Sequence, residues 1–379
     1  MYREGKKFNI DEYFDDFLKK PEVFKNRNVL DSSFIPNELP HRDLQIKSIA
    51  QNMACTLKNS IPSNMFLYGK PGTGKTAVIK HVANKLEDKC NNIGIKPPKW
   101  IYLNCTQINS SYRILATLCN QMDPSNILPP TGIPKDVLLE KLCLLLDDQE
   151  DITIFFIILD EIDYLNDKKS KDSILYTLSR INENLNNAHV NLIGISNILT
   201  FKDDLDPRVC SSLCEEELVF PAYNAVELYD ILKGRVNDAF LEGIVIDSAL
   251  RLCAAFAAKE NGDARRALTL LRKAAEILER RGLSKLTEDQ IYTAQSTISQ
   301  DKISIYINDL PIQQKAILLS IYLNHRNNQG KDSSSGEIYS TYCELVKKIY
   351  GINQLTSRRV TSLAKEIELA GKIMSRIRM

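Results

Sequence analysis

The chain has 379 residues, of which 44% are hydrophobic and 26% charged, with 15 glycines and 14 prolines. That leaves room for about two or three domains around a sizeable core and excludes disordered and fibrous proteins. The net charge of +1 hides an asymmetry: the last eighty or so residues carry about +5 and the remainder about −4, which suits nucleic acid or, equally, a solvated basic face.

No long apolar stretch follows the opening residues Met1 to Lys7, so no export signal is expected. Tyr13, Phe14, Phe17 and Leu18 mark a short amphipathic helix. Pro36 and Pro40 then stiffen an extended segment, Phe34 to Asp43, and exclude a helix there. A helix begins near His41 and carries Leu44, Ile46, Ile49, Ala50 and Met53. Lying just ahead of the next strand, this segment is either a wall for a nucleotide base or an ordinary linker.

Met65-Phe66-Leu67-Tyr68 reads as a strand, and Ala77, Val78, Val82, Ala83 and Leu86 recur behind it at helical spacing. Between them, Gly69-Lys70-Pro71-Gly72-Thr73-Gly74-Lys75-Thr76 fits the phosphate-binding pattern G-x-x-x-x-G-K-[ST]. Its glycines let backbone N–H groups approach phosphate oxygens, and the start of the following helix adds unpaired donors. Lys75 is placed to reach the β- and γ-phosphates, and the Thr76 hydroxyl to bind Mg²⁺.

Lys99 to Cys105 reads as a second strand and Ser111 to Gln121 as a helix. Ile127 to Lys135, with three prolines and a glycine, is a loop, and Asp136 to Leu146 a further helix. Asp151 to Leu159 is nearly continuously apolar, the pattern of a central parallel strand covered on both faces, and far too short to cross a bilayer. A helix around Ser173 to Asn184 leads to strands at Val190 to Asn197 and Leu218 to Phe220. Strands alternating with helices indicate a doubly wound α/β sheet. From Asn224 the strand signal ends. Helices at Ala225 to Phe240, Asp247 to Lys259, Gly262 to Arg281 and Thr287 to Ser299 form a small all-α domain. After a boundary near Ser299 to Asp301, helices follow at Pro311 to His325, Ser335 to Tyr350 and Thr356 to Gly371.

The nine cysteines show no Cys-x-x-Cys and no nearby His pair, so buried thiols in a reducing compartment are expected rather than a zinc site. These features together predict a soluble, cytoplasmic protein with no membrane partner.

Asp160-Glu161 ends the long apolar strand, where side chains face the ligand crevice of a parallel sheet. Asp160 is the candidate magnesium ligand, and Glu161 the candidate to orient or deprotonate the attacking water. Asn197, ending the next strand, either positions that water or simply serves a turn. Arg208, in Asp206-Pro207-Arg208-Val209, is either a charge-neutralising finger for a neighbouring site or a surface arginine. Asp263 caps a helix whose Arg265 and Arg266 either reach nucleotide phosphates or are solvated. On the last helix Val360, Leu363, Ala364 and Ile367 form the apolar stripe. Arg358, Arg359, Ser362 and Lys365 lie opposite, followed by Arg376 and Arg378, as on a recognition helix or a solvated basic face.

In this order the residues resemble the archaeal Orc1/Cdc6 family of replication initiators, which are AAA+ ATPases. Ile35-Pro36-Asn37-Glu38-Leu39-Pro40-His41-Arg42 resembles the family's base-binding segment, Gly69 to Thr76 its Walker A and Leu159 to Asp163 its Walker B. Ile195-Ser196-Asn197 resembles sensor 1, and Asp206 to Val209 with Ser211-Ser212-Leu213 the arginine-finger segment. Phe220-Pro221-Ala222-Tyr223 and Leu228 to Leu232 resemble the opening of the lid, Gly262 to Leu268 sensor 2, and Thr356 to Gly371 the recognition helix of a winged-helix domain. The resemblance covers nearly the whole chain.

It implies an N-terminal extension and base segment at 1–40, an AAA+ domain at 41–220, a helical lid at 221–299 and a winged-helix domain at 300–379. An initiator-specific insertion falls near 105–146, and its loop residues Pro130, Thr131 and Gly132 are implied DNA contacts beside Arg358, Arg359, Ser362 and Lys365. Implied ligands are ATP or ADP with Mg²⁺, held by Ile35, Pro36, His41, Arg42, Pro71 to Ala77, Tyr223, Ile231 and Arg265. Glu161, Asp160, Asn197 and Arg208 are the implied catalytic set, with slow hydrolysis acting as a switch. Implied partners are duplex origin DNA, the replicative helicase and other initiator subunits on the DNA, in a cytoplasmic, nucleoid-associated setting. The sequence departs from the family after Gly371, where a β-hairpin wing is usual and only eight residues remain, so a shortened or absent wing is expected. A loader or helper ATPase that acts through protein partners is the alternative.

Overall fold

The computed structural model describes residues 10–129, 131–165, 168–328, 333–348 and 353–376; Pro130 and Arg378 therefore lie outside the described residues. The chain divides into two compact units, Met1–Glu288 and Asp289–Met379. Among the described residues no helix is long and apolar enough to cross a membrane.

The first unit opens with α1 (Ile10–Leu18) and α2 (Asp43–Met53), followed by β1 (Met65–Tyr68), α3 (Lys75–Ile93) and β2 (Lys99–Asn104). Next come α4 (Ser111–Met122), α5 (Lys135–Asp147), β3 (Thr153–Asp160), α6 (Lys168–Ser179), β4 (Ala188–Ser196), α7 (Pro207–Leu213) and β5 (Glu216–Val219). The five strands form one parallel sheet in the order β2-β3-β4-β1-β5. All eight residues of β3 are buried, as its apolar run predicts. Alternation sends Ile154, Phe156 and Ile158 to the face covered by α2 and α3, while Phe155, Ile157 and Leu159 meet α4 to α7. Each such side chain contributes about 1.5–3 kcal/mol by leaving water. Because β3 is fixed on both faces, Asp160 at its end is placed by the core itself.

The lid follows as α8 (Ala225–Ala239), α9 (Asp247–Lys259) and α10 (Ala264–Arg281). A capping box of Asn224 and Glu227 starts α8, and Asp263 caps α10 by accepting from the backbone N–H groups of Arg265 and Arg266. The segment before α2 packs on this lid: Lys25 N donates to Ala239 O over 2.8 Å, and Arg235 donates to the carbonyls of Val29 and Phe34 over 3.1 and 3.0 Å.

At the end of the first unit α11 (Glu288–Asp309) begins, and it runs unbroken through Ser299 to Asp301, where the sequence suggests a boundary. That stretch has polar residues but no proline or glycine, so helical hydrogen bonding continues through it. The second unit packs α12 (Ile312–Asn327), α13 (Ser335–Lys348) and α14 (Ser357–Arg376) around Ala316, Ile317, Tyr342, Val346, Val360, Leu363 and Ile367. The helix α14 continues past Gly371 to Arg376.

Candidate nucleotide-binding site

The phosphate loop leaves β1 and turns into α3 with Gly72 at φ +73° and Gly74 at φ +90°, conformations that favour glycine. The space around Gly72 matters as much as its backbone. A Cβ there would lie 1.6 Å from Asp263 Oδ1, and Ala264 N donates to Gly72 O over 3.2 Å. The start of the lid helix α10 is thus seated directly on the loop.

Lys75 is buried, and its ammonium donates to Gly69 O, Lys70 O and Asn197 Oδ1 over 2.6, 3.0 and 2.9 Å. Burial pulls its pKa down to about 8 against the opposing pull of Asp160, and the nearby Arg265 charge lowers it further. The Thr76 hydroxyl donates to Asp160 Oδ2 over 2.8 Å. Tyr102 donates to the same oxygen over 2.6 Å, and burial followed by Asp160 raises the phenol's pKa, so it remains a proton donor. Glu161 sits at φ +58°, a conformation unusual for a non-glycine residue, with its Oε1 3.5 Å from Asn197 Nδ2. Asp163 Oδ1 accepts from the Ser196 hydroxyl and the Asn197 N–H, each over 2.9 Å, which fixes the end of β4.

A cleft of about 820 Å³ opens between loop and lid. Ile35, Pro36, Gly72, Gly74, Thr76, Ala77, Tyr223, Ile231 and Arg265 line it, as do Lys80, Tyr102 and Arg235, which the motifs do not flag. Two residues of the base segment are placed differently. His41 bonds Asp230 over 2.9 Å, joining the start of α2 to the lid. Arg42, only 2% exposed, is not among the residues lining the cleft; its guanidinium donates to Thr73 O over 2.9 Å and Pro221 O over 2.8 Å. Burial lowers its pKa, partly offset by Tyr223 and Glu227. Pro71, which is exposed, and Thr73 and Lys75, which are buried, are not among the residues lining the cleft.

One hydroxyl and one carboxylate fit Mg²⁺, which keeps waters and phosphate oxygens rather than filling an all-protein cage. Among the described residues no group of three or more His, Cys, Asp or Glu could form such a cage.

Three family profiles match the chain: an AAA domain over residues 60–209, a Cdc6 AAA+ ATPase-type lid domain over 229–296 and a CDC6 C-terminal winged-helix domain over 306–378. The ORC1-type DNA replication protein of Pyrococcus horikoshii is 44% identical over 376 residues, 99% of this chain and 88% of that protein. The chain belongs to the Orc1/Cdc6 family of replication initiators. The ORC1-type protein of Thermococcus onnurineus is 45% identical over 370 residues, 97% of this chain and 88% of its own. Among solved structures, the Orc1 protein of Aeropyrum pernix in complex with DNA matches with a TM-score of 0.76 and 39% identity, covering 93% of this chain and 89% of that one. The AAA+ sheet, lid and winged-helix domain of the Orc1/Cdc6 family are the fold that the sequence predicts.

Arg208 of this Orc1/Cdc6 chain stands apart from its own cleft. Its side chain is 77% exposed and paired with Asp206 at the start of α7. In the loop before α5, Thr131 and Gly132 are exposed, and the loop is tied down by Tyr112, whose hydroxyl donates to Pro129 O over 3.2 Å and accepts from Ile133 N over 3.4 Å. On α14, Arg358, Arg359, Ser362 and Lys365 are exposed opposite the buried stripe.

Proposed function

We propose that this chain binds ATP·Mg²⁺ or ADP in the cleft between phosphate loop and lid, and that the bound nucleotide governs how it docks on duplex origin DNA. The carrying observation is the convergence of Thr76 on Asp160 and of Lys75 on Asn197 beside a cleft roofed by Arg265. Thr76 and Asp160 would hold the magnesium ion, which would neutralise phosphate charge. Lys75 supplies a cation to the phosphates, and Arg265 binds them from the lid side. Ile35, Pro36 and Ile231 form the apolar wall for the base, with Tyr223 behind them. Glu161, steadied by Asn197, orients the attacking water. Arg208 does not line its own cleft, so hydrolysis is slow until a neighbouring subunit presents its equivalent arginine, and the nucleotide acts as a switch.

The exposed face of α14 binds duplex DNA, Thr131 and Gly132 are DNA contacts of the first unit, and the complex serves to recruit the replicative helicase in a cytoplasmic, nucleoid-associated setting. The DNA-bound relative from Aeropyrum pernix supports this reading. A fluorescence-anisotropy titration with origin-like and random duplexes at fixed salt, in ATP and in ADP, tests it. Discrimination between the duplexes, differing between the nucleotides, is expected; absence of duplex binding would favour an ATPase that acts through protein partners.

A further inference from the structure

Tyr102 stands on β2, beside the strand that ends in Asp160. Asn104 is the register partner of Asp160, and Cys105 N donates to Asp160 O over 2.8 Å, so the backbone of the acidic residue is pinned to β2. Its side chain is pinned as well. Oδ2 accepts from the Tyr102 hydroxyl over 2.6 Å and from the Thr76 hydroxyl over 2.8 Å. Two O–H donors from different elements, strand β2 and helix α3, therefore meet one carboxylate oxygen and fix its direction. The Tyr102 ring lines the cleft wall, with Lys80 Nζ 5.2 Å from its centroid.

We infer that Tyr102 is a positioning residue for the divalent cation, holding the Asp160 carboxylate in the orientation from which it and Thr76 receive Mg²⁺. The inference rests on the nucleotide reading above and adds to it a residue that no phosphate-binding motif contains. A carboxylate at a strand end has two free side-chain torsions, and ordering them at the moment of metal binding costs entropy. A hydrogen bond already in place removes part of that cost, which is why the outer partners of metal ligands commonly govern affinity by about 10–100-fold. The competing role for Tyr102 is purely mechanical, an aromatic ring sealing the wall of the cleft. Tyr102→Phe separates the two, because it keeps the ring and its packing against Lys80 while removing only the O–H.

The experiment uses the full chain and a fluorescent N-methylanthraniloyl-ADP, titrated first in EDTA and then with Mg²⁺ at fixed nucleotide. Manganese bound to the ADP complex, read by electron paramagnetic resonance, gives the metal affinity directly. For Tyr102→Phe, the affinity in EDTA stays within about twofold of wild type, while the Mg²⁺ midpoint and the Mn²⁺ dissociation constant rise about tenfold. An unchanged metal midpoint, or equal losses with and without metal, would overturn the inference. If the wild-type chain binds the analogue under neither condition, the nucleotide reading fails and this inference fails with it, an outcome distinct from the other two.

Discussion

The guanidinium of Arg42 lies 3.7 Å from the centroid of the Tyr223 ring, stacking a cation from the start of α2 on an aromatic at the root of the lid. The same group donates to Thr73 O inside the phosphate loop and to Pro221 O at the lid root. One buried side chain therefore ties together loop, lid and the segment that walls the cleft. Removing it leaves carbonyls without their charged donor, which costs about 3 kcal/mol. Arg42→Ala should lower the thermal midpoint and weaken ADP binding at least tenfold. Arg42→Lys should recover little of either, because an ammonium has no planar fork to serve the carbonyls of Thr73, Pro221 and His41 while stacking. Thermal melts and ADP titrations of both variants check this, and full rescue by lysine would show that charge alone matters.

Gly72 supports a second test. Its φ of +73° strains any side chain, and a Cβ would collide with Asp263 of the lid at 1.6 Å. Gly72→Ala should displace α10 from the loop and weaken ADP binding, with backbone strain adding about 1 kcal/mol of destabilisation. Gly72→Ala combined with Asp263→Ala removes the collision but not the strain, and loses a helix cap worth about 1 kcal/mol. Affinity should partly return in the double variant while stability does not. A double variant no better at binding than Gly72→Ala alone would place the whole effect in the backbone.

The Lys75 pKa of about 8 gives the site a pH signature. Phosphate oxygens beside the ammonium raise its pKa, so ADP binding takes up a proton where the free protein has begun to lose one. Affinity in EDTA should therefore be flat between about pH 7 and 8, where ADP is fully ionised, and fall by up to about tenfold per pH unit above it. Calorimetry in two buffers of different ionisation enthalpy should show proton uptake near pH 8.5 for wild type and none for Lys75→Arg, which stays charged. Equal buffer dependence in the two proteins would remove Lys75 as the source.

The exposed basic face of α14 is tested through its salt dependence. Arg358→Ala with Arg359→Ala should weaken duplex binding and reduce the slope of log affinity against log salt by up to about one unit for each phosphate no longer neutralised. An unchanged slope would mean that these arginines do not touch the DNA backbone.

Much of this architecture was legible because its signals are local. The glycines of residues 69–74, the apolar run ending in Asp160 and the cap at Asp263 each depend on neighbours a few positions away. What stayed hidden depends on distant partners. Arg42 reads as one more residue of the base segment until Thr73 and Pro221 come to surround it. Tyr102 is an ordinary strand tyrosine until β2 lies beside β3 and carries its hydroxyl to Asp160. Ser299 to Asp301 looks like a boundary because its polar residues interrupt the apolar period, yet nothing in it stops helical hydrogen bonding. Arg208 reads as a candidate finger, and its own fold gives it one short-range partner, Asp206 two residues away.

The most direct test of the central claim is calorimetric titration of ADP·Mg²⁺ into the full chain and its Lys75→Ala variant. One-to-one binding by the wild type is expected, with a loss of at least about a hundredfold in the variant, equivalent to about 2.7 kcal/mol. Retention of wild-type affinity without the Lys75 ammonium would contradict the account of this cleft as the nucleotide site.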